Sequence, residues 1–368
     1  MMEKSSGLVR RLARQAPALC LLLLIAACAK DYPQTTLQPR GDFARMVDDL
    51  FRTTVVWATI VFVLVEGVLL WAIFKFRGRA DDPEPRQVHG NTTLEVVWTV
   101  IPAFILVAIA VPTVKTIFKT SDYATGPGVV QIEVIGHQWW WEFRYPELGV
   151  VTGNEMHIPV GKTVNLRMTT ADVLHSFWVP QFAGKRDVFP GRYNPLWFKA
   201  EVTGIFSGQC AEFCGVQHAR MGFKLISETQ EEFDAWVARE RIGSPLVNAG
   251  TVPADTTTPA DSAGRAAKLA ADSLEQAGRA LFSGAGCIGC HAMVGTPLAS
   301  ATSLKGPNLS HVGSRQTLVA GLMPNTEENL RKWLANPDSV KQGTLMVLPK
   351  KLTDAEIATL VAYLRSHR

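Results

Sequence analysis

Cysteine is scarce in this chain of 368 residues, and none of it is spare: there are six, each in a local context of its own. Cys20 and Cys28 lie in an N-terminal apolar stretch, Cys210 and Cys214 stand close to His218, and Cys287 and Cys290 precede His291. No pair is left for a distant crosslink, which excludes a disulfide-framework protein. A surplus of one charge is missing too. The formal net charge is only +4, and no basic run is interleaved with aromatics, so no nucleic acid is expected as a partner. Apolar residues are plentiful at 47%, and they crowd into the first third of the chain. The length suits two or three domains.

Arg10, Arg11 and Arg14 followed by the apolar residues 19–27 read as an export signal, too short to span a bilayer. It ends in Ile25-Ala26-Ala27-Cys28, which resembles a bacterial lipobox. That resemblance implies a signal over 1–27 and acylation of the Cys28 thiol; the plainer alternative is an ordinary signal peptide cut nearby. Within residues 28–125, two apolar segments at about 53–74 and 96–118 are each long enough to cross a hydrocarbon core of about 30 Å. The loop between them holds Lys75, Arg77, Arg79 and Arg86, and basic residues beside a helix end place it in the cytoplasm with both flanks outside. Glu66, at membrane depth, is expected to face a partner helix. Pro102 and Pro112 are expected to kink the second span.

From about residue 129 the texture turns to short β-rich runs, VVQIEVIG, MHIPVGKTVNLRMTT, HSFWVPQF and LWFKAEVTG, bounded by turn residues. They predict an antiparallel sandwich or barrel. Residues 228–241 read as a short amphipathic helix. The stretch GSPLVNAGTVPADTTTPADSAG is poor in large apolar residues, so residues 242–273 are expected to form a flexible linker. The remainder, 274–368, alternates helical periodicity with Gly- and Pro-rich loops and suggests a small all-α domain.

Two clusters carry chemistry. CAEFCGVQHARM places Cys210, Cys214, His218 and Met221 within twelve residues, and His175, in DVLHSFWVP, lies on another predicted strand. Thiolates and a thioether are soft ligands, and the methionine favours copper. A tetrahedral zinc on Cys210, Cys214, His175 and His218 would also satisfy the spacing, as would a Cys210–Cys214 disulfide. Cys287-Ile-Gly-Cys290-His291 is the pattern for covalent attachment of a c-type haem, with His291 as proximal iron ligand. A bare CxxCH also occurs in zinc and redox sites.

GHQWWWEF, DVLHSFWVP and CAEFCGVQHARM, in that order and together with LEVVWTVIPAFIL in the second span, resemble cytochrome c oxidase subunit II over about residues 40–240. FSGAGCIGCHAMVG, GPNL and the closing VAYLRS resemble class I cytochromes c over about 275–368. The fold class this implies is a multidomain membrane protein: a two-helix transmembrane hairpin, a cupredoxin-like β-sandwich over 126–241 and an all-α cytochrome c domain over 274–368. The implied function is the electron-transfer subunit of a proton-pumping oxidase that reduces oxygen to water. Electrons would come from cytochrome c or the chain's own haem c, and leave through a dinuclear copper A centre for the haem of subunit I, where the catalytic oxygen site lies.

The same resemblance implies residue roles. Cys210 and Cys214 bridge the two coppers; His175, His218, Met221 and the main-chain carbonyl of Glu212 complete them. The Glu212 carboxylate would reach a magnesium shared with subunit I, and Trp139 is where electrons enter. Arg144 stands where the family often has an acidic docking residue. Met346, in KQGTLMVLPKK, is the implied sixth haem ligand, although Val347 replaces the usual proline; Met323 is its rival. Pro307 would orient the proximal imidazole through its carbonyl. Implied partners are oxidase subunits I and III, cytochrome c or another donor, and membrane lipid. The implied location is a bacterial inner membrane, with the copper and haem domains on the periplasmic side. The alternative reading is the small subunit of a copper A-containing nitric oxide reductase. Nitrous oxide reductase lacks an N-terminal hairpin, a copper-binding assembly lipoprotein leaves the haem motif without purpose, and quinol-oxidase subunit II lacks the two cysteines.

Overall fold

The computed structural model describes residues 32–78, 87, 89–242, 262–294, 296 and 305–368. The signal, Cys28, Arg79, Arg86 and linker residues 243–261 lie outside them. Two long helices open the described chain, α1 (Asp42–Lys75) and α2 (Thr92–Thr120), both long and apolar enough to cross a membrane. Asn91 caps α2 by accepting from Leu94 N at 3.1 Å, and Pro102 and Pro112 lie within the helix. Glu66 lines the cleft between the helices with Ile105 and Ile109, so it faces its neighbour as a costly carboxylate should. α1 begins well before the apolar run at residue 53. Its first turns are claimed by the β-domain instead: Phe43 and Ala44 are buried, the Phe43 ring meets Trp197 edge-on at 6.0 Å, and Ala44 N donates to Phe182 O at 3.0 Å. The membrane hairpin is thereby seated on the domain that follows it.

That domain is a β-sandwich. One sheet has the order β3-β2-β1-β5-β8 and the other β4-β10-β9-β6-β7. The strands are β1 (Val130–His137), β2 (Trp140–Tyr145), β3 (Val150–Gly153), β4 (Glu155–Pro159), β5 (Thr163–Thr170), β6 (His175–Trp178), β7 (Arg186–Val188), β8 (Asn194–Lys199), β9 (Gly204–Cys210) and β10 (Gly222–Glu228). Most neighbours are antiparallel, as expected, but β1 pairs with β5 and β4 with β10 in parallel, because intervening strands return the chain in the same direction. Alternation places Ile132 and Val134 inward, and the rings of Trp141, Phe143, Phe177 and Phe223 meet between the sheets, with Phe177 and Phe223 stacked at 4.7 Å. Burying each such side chain contributes about 1.5–3 kcal/mol. Helix α3 (Gln230–Glu240) starts at a capping box formed by Thr229 and Glu232 and sets Trp236 against Tyr145.

Helix α4 runs over Ser262–Gly284, so residues 262–273, expected to be linker, are helical. Their sequence, SAGRAAKLAADS, is too poor in large apolar groups for a core but rich in alanine, the strongest helix former. The C-terminal domain then adds α5 (Glu327–Ala335), α6 (Pro337–Val340), α7 (Asp354–Ser366) and a two-residue strand pair, β11 (Thr317–Leu318) and β12 (Met323–Pro324). Its core gathers Phe282 of α4, Leu330 and Leu334 of α5, and Leu360, Val361 and Tyr363 of α7.

Glu142 on β2 ties three strand residues together. It is buried, accepts from Arg144 Nε at 2.6 Å, and meets His137 Nε2 at 2.9 Å. Burial pushes its pKa up, but the bonds from His137 and Arg144 outweigh it and hold the carboxyl below its ordinary value. A depressed carboxylate stabilises the fold above its unfolded pKa of about 4.3 and loses that contribution as pH falls through the folded value. Glu142→Gln is therefore expected to cost about 2 kcal/mol at neutral pH. It should also flatten the loss of stability on acidification, checked by denaturation followed by tryptophan fluorescence between about pH 3 and pH 7.

Candidate functional site

The first site is built at one end of the second sheet. Cys210 closes β9 and Met221 immediately precedes β10, with Cys210 N donating to Met221 O at 2.9 Å across the base of the loop. β6 lies beside β9, with Phe177 opposite Cys210, and this register delivers His175 to the same end. The donor atoms converge. Cys210 Sγ lies 3.7 Å from Cys214 Sγ and 3.8 Å from His175 Nδ1. Cys214 Sγ lies 3.7 Å from His218 Nδ1 and 3.8 Å from Met221 Sδ, and the Glu212 carbonyl is 3.2 Å from Cys210 Sγ. His175, Cys210, Cys214 and Met221 are all buried.

These separations bear on the three readings left open by spacing. Sulfurs at 3.7 Å are two thiols, since a disulfide holds them at about 2.0 Å. Spacings of 3.7–3.8 Å are compatible with the edges of a coordination shell whose bonds would run about 2.0–2.3 Å. Met221 belongs to the cluster, and a thioether among thiolates and imidazoles suits copper. The hydrogen bond from Cys214 holds the Cys210 thiol well below its ordinary range, while the same bond pushes Cys214 up. The arrangement favours a thiolate at Cys210, and a thiolate is what a metal binds.

The surroundings fix these ligands in place. Asp172 Oδ1 sits 2.8 Å from His175 Nε2, which leaves Nδ1 facing the sulfurs. Burial lowers the His175 pKa, but its bonds to Asp172 and Cys210 more than offset this and raise it. Asp172 in turn accepts from the main-chain N–H groups of Gln138 and Val173. The carbonyl of Cys214 accepts from Gln138 Nε2 at 2.8 Å and from the Trp139 indole at 3.0 Å. Trp139 thus touches the backbone of Cys214, while Trp140 and Trp141 are buried in packing. Arg144 is drawn inward to Glu142. Asp172 was not singled out from the sequence; its position three residues before His175 was the available signal.

The second site lies in the C-terminal domain. Cys287 and Cys290 bracket one turn of 3-10 helix, and His291 follows with Nδ1 facing Pro307 O at 2.8 Å. The bond leaves Nε2 for iron, and burial pushes the imidazole pKa down, favouring the neutral ring that a metal needs. A Cβ built on Gly306 would lie 2.5 Å from His291 Cε1, so only glycine lets the chain pass the ring. Met346 and Met323 are both partly buried against this domain's core. The cysteine pair, the oriented imidazole and an available thioether fit a covalent haem. Asp172→Asn should weaken copper binding ten- to a hundredfold, as loss of a carboxylate behind a ligating imidazole typically does; a competitive chelator titration measures it.

Comparison with known proteins agrees with this geometry. Residues 40–116 match the cytochrome c oxidase subunit II transmembrane domain, 148–227 its periplasmic domain, and 275–368 cytochrome c. The chain is 37% identical over 359 residues to cytochrome c oxidase subunit 2 of Alkalihalophilus pseudofirmus, covering 96% of each. It is 34% identical to the corresponding protein of Bacillus sp. strain PS3, covering 94% of each. It is also similar to the crystal structure of the periplasmic domain of cytochrome oxidase subunit II from Bradyrhizobium japonicum. That match has 36% identity and a TM-score of 0.31 over 32% of this chain and 97% of that one. The matched domains imply copper and haem, partnership with other oxidase subunits, and a two-pass membrane protein with a periplasmic domain. The chain belongs to the cytochrome c oxidase subunit II family, carries a cytochrome c domain at its C-terminal side, and is an electron-transfer subunit of an oxidoreductase complex.

Proposed function

We propose that the chain passes electrons from a cytochrome c donor to subunit I of a proton-pumping oxidase, with a covalent haem c and a dinuclear copper A centre as its two carriers. The observation that carries this reading is the donor set, buried except at the half-exposed His218, in which each sulfur has its own imidazole, His175 beside Cys210 and His218 beside Cys214. That pairing suits two metal ions joined by both thiolates better than one tetrahedral ion. Bound copper and bound haem each supply a one-electron couple; oxygen reduction to water and proton pumping belong to subunit I.

The chain's own residues do the positioning. Cys210 and Cys214, with His175, His218, Met221 and the Glu212 carbonyl, would hold the copper pair. All but His175 sit on one loop, held by the strand register and by the bonds to Cys214 O, so ligand positions shift little between oxidation states. Trp139, resting on that loop, is the residue through which electrons enter. The Glu212 carboxylate would hold a magnesium shared with subunit I. Cys287 and Cys290 would anchor the haem, and His291 and Met346 would hold its iron; methionine ligation would raise the potential relative to two histidines, which suits a donor. The assembly includes subunit III and sits in a bacterial inner membrane, with Cys28 lipidated and both redox domains on the periplasmic side.

Metal analysis and spectroscopy of the purified chain should give two coppers with a delocalised mixed-valence signal and one covalent haem. A single zinc, or no covalent haem, sinks the reading. Met346→Ala should abolish the low-spin methionine-ligated spectrum, whereas Met323→Ala should leave it intact.

A further inference from the structure

The haem domain does not stand apart from the copper domain. Glu155, on β4 and only 2% exposed, receives the main-chain N–H groups of Gln316 and Thr317 at 2.9 and 2.8 Å and the Thr317 hydroxyl at 2.9 Å. A buried carboxylate is costly unless hydrogen-bonded, and here all three donors come from the other redox domain. Lys341, 4% exposed, follows α6 and donates from Nζ to the main-chain carbonyl of Trp139 at 3.1 Å. Its ammonium is thus spent on the residue whose indole donates to Cys214 O.

Two close approaches show where the contact falls. A Cβ built on Gly153 would lie 2.7 Å from the Pro307 Cβ, next to the Trp140 ring. Pro307 is the residue whose carbonyl orients His291. A Cβ on Gly343 would lie 3.1 Å from Val216 Cγ2, so the segment leading to Met346 abuts the copper loop. Arg220 Nη1 adds a bond to Val340 O at 3.4 Å, and His311 Nε2 faces Ile242 O at 2.7 Å. The segment whose carbonyl orients His291 and the segment leading to Met346 therefore rest on the face formed by Trp139, Trp140 and the copper loop.

We propose that Glu155 and Lys341 are positioning residues for electron transfer within the chain, holding the haem domain in one docked pose against the Trp139 face of the copper domain. This rests on the functional reading above. Transfer rates fall exponentially with the gap between carriers, so a fixed short gap outperforms a tethered domain that must find its site at each turnover. Trp139 is half-buried with its main-chain carbonyl held by Lys341 of the haem domain, so an outside donor is expected to meet that domain first.

The test uses the assembled oxidase, with one electron delivered photochemically to the haem and its arrival followed in the copper absorbance. Glu155→Ala and Lys341→Met are each expected to slow this step at least tenfold, with copper and haem spectra, both midpoint potentials and KM for soluble cytochrome c unchanged. Glu155→Gln, which keeps a carbonyl oxygen for the two N–H groups, should recover most of the rate. Because Glu155→Ala removes a buried group, Gly153→Ala probes the same pose independently: it puts a methyl against Pro307 without touching a charge, and should slow transfer as well. Rates within twofold of the unaltered enzyme in all three disruptive variants overturn the proposal while leaving the functional reading intact. Absence of haem-to-copper transfer in the unaltered oxidase overturns both.

Discussion

Two sulfur atoms held 3.7 Å apart in a buried pocket set the terms for the whole β-domain. In the proposed centre they would lie near enough to share metal and yet be kept from closing into a disulfide, which their loop alone cannot ensure. The restraint comes from elsewhere. β9 and β10 clamp the two ends of the loop, Gln138 and Trp139 grip its middle at Cys214 O, and β6 brings His175 to its open side. Each restraint is a hydrogen bond from a different strand or turn, so the sandwich acts as a frame for one loop. The aromatic packing of Trp141, Phe177 and Phe223 directly beneath makes that frame stiff.

The same reasoning extends to the membrane. The first turns of α1 are buried on the β-domain through Phe43 and Ala44, so the hairpin and the copper domain are joined by packing as well as by chain. A subunit that hands electrons to a membrane partner needs its cofactor held at a fixed height, and this seat supplies it.

How much of this was legible in the sequence follows from how local each signal is. Cys210, Cys214, His218 and Met221 share one short segment, and Cys287, Cys290 and His291 another, so both clusters could be read directly. The spans were visible from apolar length, but the start of α1 was not, because its first turns are held by tertiary contacts. Residues 262–273 look like linker by the absence of large side chains, although their alanine content makes them helical. Asp172 was readable in principle from its spacing to His175. Glu155 and Lys341 were not: their partners lie 161 and 202 residues away, and neither belongs to a motif. An isolated charged residue on a strand or after a short helix looks like ordinary surface until the two domains are seen together.

The contact at Glu155 has an evolutionary consequence. Two of the three groups it receives are main-chain amides, so it reads the path of residues 316–317 more than their identity. The side chain at position 316 is exposed and takes no part in it. A haem domain could therefore drift at that position, adapting its outer surface to new donors, without losing its place on the copper domain. A fused carrier can in this way change the partner it accepts from while keeping the partner it gives to.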